Sequence, residues 1–97
     1  MTLKKWRMKT MPRSPKKTKV IERHLGKEKA WGIAHIGANK IEIDARLTGY
    51  RYILYMLHEY IHIIHPDWSE TKVVKESRLI ARFLWDNGIR WTDLKEK

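Results

Sequence analysis

The hydrophobic pattern changes period along the chain. Ile41 and Ile43 alternate with Glu42 and Asp44, the period-two signature of a strand with one buried face. Ala30 to Ile36 is also strand-like, and Gly37-Ala38-Asn39 between the two segments suits a hairpin turn. Val20 to Leu25 predicts a short first strand. From Tyr50 to about Ile64 the residues are apolar nearly all round, which predicts a central helix covered on most faces, with Thr48 as N-cap and Pro66 as its end. Ser69 is placed to cap a second, amphipathic helix from Glu70 to Trp85, which Asn87-Gly88 stops. Ile89-Arg90-Trp91 is expected to fold back onto the body. The fold class is therefore α+β: a small antiparallel sheet of two or three strands packed on a central helix and a second amphipathic helix.

Charge divides the chain in two. The formal charge is +10, and residues 1–19 carry eight lysines and arginines with no acidic residue, leaving +2 for the rest. A single domain over residues 20–97, preceded by a flexible basic arm over residues 1–19, is the expected organisation. The arm suits nucleic acid phosphates or another acidic partner. The 97 residues include no cysteine, so thiolate metal sites and disulfides are excluded. The N-terminal basic stretch is not followed by an apolar segment of signal-peptide type, and the longest apolar run is too short and too polar to span a bilayer. A cytoplasmic protein with no membrane partner is expected.

Three polar residues interrupt the apolar run from Ile53 to Ile64 in the central helix: His58, Glu59 and His62, in the order His-Glu-Tyr-Ile-His. Residues four apart on a helix lie about 40° apart around its axis, so both imidazoles can reach one ion. The intervening glutamate can hold and deprotonate a water molecule on that ion. Each group is costly to bury without a partner, and one bound cation resolves all three.

A hydrolytic zinc site needs a third protein ligand. His65, Asp67, Glu70 and Glu76 are the nearby candidates. His65 lies about 10.5 Å along the helix from His58 and reads instead as a residue favoured by the helix C-terminus. Asp67 belongs to the turn. The second helix has an apolar stripe through Val73, Val74, Ser77, Ile80, Ala81 and Leu84; Glu70 falls about 25° from its centre and Glu76 about 95° away. Glu70 is thus the first choice as inward-facing ligand. Glu76 is the alternative, because antiparallel packing brings it closer to the level of the histidines.

With His58-Glu59-Tyr60-Ile61-His62 preceded by Asn39 to Asp44 and followed by His65-Pro66-Asp67-Trp68-Ser69-Glu70, the chain resembles the zincin metallopeptidases. More narrowly, it is similar to the minimal gluzincin-type HExxH-plus-glutamate metallopeptidases of phages and bacteria, over roughly residues 20–91. The resemblance implies zinc bound by His58, His62 and Glu70, with Glu59 as general base. It also implies that the strand before the helix, Lys40 to Asp44, borders the cleft and pairs with an extended peptide substrate. The third ligand follows His62 much more closely here than in larger gluzincins, and Trp68 stands where a metzincin would have its third histidine.

The expected function is zinc-dependent hydrolysis of peptide bonds, with His35, Tyr50, Tyr52 and Arg90 as unranked candidates for an oxyanion donor. The competing expectation is a nucleic-acid-associated or interaction protein that binds through its arm and keeps the zinc-site fold as a scaffold.

Overall fold

The computed structural model describes residues 17–90; the greater part of the basic arm, and Trp91 onward, lie outside the described residues. Three strands, β1 (Lys19–Arg23), β2 (Gly32–His35) and β3 (Lys40–Asp44), precede two helices, α1 (Gly49–Ile64) and α2 (Glu70–Asp86). The folded part takes in Thr18 and Lys19, which join Asn39 through the Thr18 hydroxyl and the Lys19 amide.

The α+β architecture is as expected, but the sheet is mixed rather than wholly antiparallel. Its order is β1-β3-β2, with β2 antiparallel and β1 parallel to β3. The alternating pattern and the tight turn specify the β2–β3 hairpin; nothing in them specifies the direction of β1. A parallel pair needs a long crossover, and residues 24–39, which include β2, supply it. The turn is a single 3-10 turn, Ile36–Ala38, closed by Asn39 in the left-handed region at φ 53°. Asparagine tolerates that conformation better than most residues.

The order of the strands also corrects the expectation for Lys40 to Asp44. With β1 on one side and β2 on the other, β3 has no free edge on which to receive a peptide. The free edges of the sheet are those of β1 and β2.

One face of β3 sends Ile41 and Ile43 into a core with Leu47 and Tyr52, against which Trp31, Ala34, Tyr55, Met56 and Ile63 pack. Leu25, expected as the end of the first strand, is instead a fully buried plug beyond it; its amide donates to Asp44 Oδ2. Asp44 is itself buried and held by Arg46 through two bonds of 2.8 Å, so its carboxyl lies well below the usual range. On the outer face of the sheet Glu42 accepts from Arg23 Nε at 2.9 Å and lies 3.2 Å from His35 Nε2.

The helix α1 is covered by the sheet and by α2, and less completely than its composition suggests: Tyr60 and Ile64 remain exposed. Thr48 occupies the N-cap position in an extended conformation without a side-chain cap bond. Ser69 does cap α2, its hydroxyl accepting from the Lys72 amide at 3.1 Å. At the far end Gly88, at φ +86°, allows the chain to reverse. The amides of Gly88 and Ile89 then bond the carbonyls of Trp85 and Leu84, the pairing that closes a helix C-terminus around a left-handed residue. The small buried residues Ser77 and Ala81 let α2 approach α1 closely. Arg90 turns back over Trp85, its guanidinium 3.7 Å from the ring centroid. No helix among the described residues is long and apolar enough to cross a membrane.

Candidate metal centre

Around α1, at about 100° per residue, the sides have distinct neighbours. Tyr52, Met56 and Ile63 face the sheet core. Tyr55 and Glu59 approach the start of β2, where Trp31 lies 6.5 Å from Tyr55 between ring centroids. His58 and His62 sit on the stripe between β2 and α2.

Glu70, the first residue of α2, reaches back across that stripe. Its Oε2 lies 3.1 Å from His58 Nε2 and its Oε1 lies 2.9 Å from His62 Nε2. These three residues each offer one ligand atom within 4.8 Å of the others, the one such group of His, Asp and Glu among the described residues. Ligands of a tetrahedral ion at about 2.1 Å are separated by roughly 3.4 Å, so small side-chain rotations would bring the three atoms around an ion. The donor set of two imidazoles and one carboxylate suits zinc and other first-row divalent ions. The histidine side chains are 14% and 22% exposed and that of Glu70 is 67% exposed. Glu70 thus points at α1 as its wheel position requires, yet stays at the rim because the chain is only entering the helix there. Burial holds the His58 pKa below its ordinary value, against the raising effect of Glu70, and so favours the neutral imidazole that can act as a ligand.

Glu59 occupies a different environment from Glu70. It is 8% exposed and accepts no hydrogen bond among the described residues. Burial pushes its carboxyl up to about 7, with His62 opposing and the Glu70 charge adding to the rise. Its side chain lies flat against Gly32 of β2. A Cβ built on that glycine would fall 2.8 Å from Glu59 Cγ and 3.0 Å from Oε2. Gly32 therefore leaves the space that the glutamate fills, a role that only the folded chain makes visible.

The remaining candidates are engaged elsewhere. His65 ends α1 and stacks on Trp68, with ring centroids 3.9 Å apart and planes 2° from parallel. Asp67 is exposed in the turn, and Glu76, further along α2, does not join the three-residue group. Of the proposed oxyanion donors, His35 lies against Glu42 on the outer face of the sheet, and Tyr52 donates to Glu22 at 2.6 Å. Tyr50 and Arg90 both pack on Trp85 at the far end of the helix pair.

No family model, curated protein or solved structure matches this chain.

Proposed function

We propose that the chain is a zinc-dependent metallopeptidase in which His58, His62 and Glu70 hold the ion. The observation that carries this reading is the pairing of two unlike carboxylates. Glu70 is exposed and aimed at both imidazoles, whereas Glu59 is largely buried, accepts no hydrogen bond among the described residues and is held against Gly32 beside the same cluster. A divalent ion at such a site supplies Lewis acidity and a water of lowered pKa. Glu59 is the base that accepts the proton of the attacking water and later delivers it to the leaving amine. The free edge of β2, whose Gly32 lies beside Glu59, offers backbone groups to an extended peptide.

Metal analysis and peptide hydrolysis measured together test the reading. One equivalent of zinc is expected in the wild type and in Glu59→Gln, and loss in His62→Ala and Glu70→Ala. Hydrolysis of a mixed peptide pool is expected in the wild type alone. Full activity in Glu59→Gln would remove the proposed base, and zinc lost from Glu76→Ala but kept in Glu70→Ala would transfer the third ligand.

A second reading, an acidic partner or nucleic acid bound through the basic arm, draws support from one surface. Lys17, Lys19 and Lys40 converge around a depression with Ala38 and Asn39, where the described chain begins. Deleting residues 1–16 separates the readings, since it should weaken salt-sensitive DNA binding without changing zinc content.

A further inference from the structure

The stripe of α1 that carries the histidines does not end with them. On the helical wheel Arg51 lies about 20° from His58 and Tyr55 about 60° from it, so Arg51, Tyr55, His58 and His62 share one face. That face runs between β2 on one side and α2 on the other. Along the axis Arg51 is roughly 10.5 Å from His58. It is exposed, and its guanidinium lies 4.9 Å from the Trp31 ring centroid and 5.9 Å from that of Tyr55.

Three other arginines of the fold have their charge answered, whereas Arg78 and Arg90, away from the centre, meet no carboxylate within 4.0 Å among the described residues. Arg23 holds Glu42, Arg46 holds Asp44, and Arg82 holds Asp86. Arg51 meets no carboxylate within 4.0 Å among the described residues, although two aromatic rings fix its position. A guanidinium held near aromatic rings keeps its N–H donors free to bind an anion. Arg46, 4.9 Å from the same Trp31 ring, adds positive potential, but its charge is paired with Asp44 through two N–H donors.

We infer that Arg51 is an anion-binding position on the α1 face that carries the histidines, and that it selects peptides bearing an acidic side chain. This rests on the peptidase reading above. An extended chain advances about 3.3 Å per residue, so the acid falls three or four residues from the scissile bond. Trp31 stands at the arginine end of β2 and Gly32 beside Glu59. A peptide paired antiparallel to β2 therefore carries its acid on the C-terminal side of the bond. The carboxylate and guanidinium match as a bidentate pair, which an amide of the same shape cannot reproduce.

The test uses matched peptides with Glu or Gln at each of the first five positions on either side of a common cleavage site. With zinc-loaded wild type, kcat/KM is expected to favour Glu over Gln by about tenfold at the third or fourth position on the C-terminal side. The ratio should fall to near one in Arg51→Gln, and Arg51→Glu should prefer Lys at that position. Binding of the same labelled peptides to Glu59→Gln, read by fluorescence anisotropy with and without Arg51→Gln, gives a readout independent of turnover. A Glu-over-Gln binding ratio that depends on Arg51, in the absence of any hydrolysis, would uphold the anion site and overturn the peptidase reading. Hydrolysis with no acid preference, or a preference that survives Arg51→Gln, would overturn the anion site and leave the peptidase intact. No peptide binding at all would overturn the anion site as well.

Discussion

Replacing Gly32 with alanine isolates the contact that holds Glu59. Gly32 does not occupy the left-handed region, so alanine fits its backbone and, by restricting the unfolded chain, would stabilise the protein by about 0.4–1 kcal/mol. Against this stands the new Cβ, which would lie 2.8 Å from Glu59 Cγ, 3.0 Å from Oε2 and 3.3 Å from Cδ. Ordinary carbon contacts are about 3.5–4.0 Å, so the glutamate or the strand must move by roughly 1 Å. Overpacking of this kind costs about 1–3 kcal/mol. The clash therefore wins, and Gly32→Ala should be destabilised by about 1–2 kcal/mol. All three contacted atoms belong to one side chain and disappear in Glu59→Ala. In that background only the gain remains, so the same substitution should be neutral or mildly stabilising. A double-mutant cycle by urea denaturation, with metal chelated so that binding does not contribute, measures the coupling directly. Equal cost in both backgrounds would refute the reasoning, because the strain would then lie in the strand and not in the contact with Glu59.

Two further outcomes follow from the same packing. Ser69→Ala removes the bond to the Lys72 amide and should cost about 1 kcal/mol, largely restored by Ser69→Asp; thermal denaturation of the three proteins checks it. Glu42 is drawn down from 4.5 to about 2, chiefly by its bonds to Arg23 and secondarily by His35, with burial opposing. Its folded-state pKa is depressed, so its contribution is fully present above about pH 4.5 and is lost as pH falls towards 2. Arg23→Ala should therefore raise the midpoint of acid unfolding while changing stability less at pH 3 than at pH 7, as circular dichroism at a series of pH values would record.

How much was legible before folding depended on how local each feature is. The helices, the β2–β3 hairpin, the Ser69 cap and the Asn87-Gly88 stop depend on residues within one or two turns of each other, and their patterns are visible in the chain. The approach of Glu70 to the histidines was legible for the same reason: a short turn joins the two helices, and the wheel points the side chain back. The direction of β1 and the central place of β3 were not, since they depend on a crossover through residues 24–39. Nor was the Gly32–Glu59 contact, because an isolated glycine carries no mark of what fills the space beside it. Arg51 was open to the same wheel that aligned His58 and His62, extended two turns towards the N-terminus.

The crossover also bears on how the protein reaches its fold. From Gly32 to Asp86 the chain is a hairpin followed by a helix pair, each closed by contacts between sequence neighbours, and these pieces contain every residue of the candidate centre. The strand β1 is different: its partner β3 is the far strand of the hairpin, beyond β2, so docking it requires closing the longest loop in the sheet. Without β1, β3 would present an unpaired edge between Lys40 and Asp44, with Ile41 and Ile43 on that strand. The least local strand of the sheet is thus the one that covers an edge open to pairing with another chain.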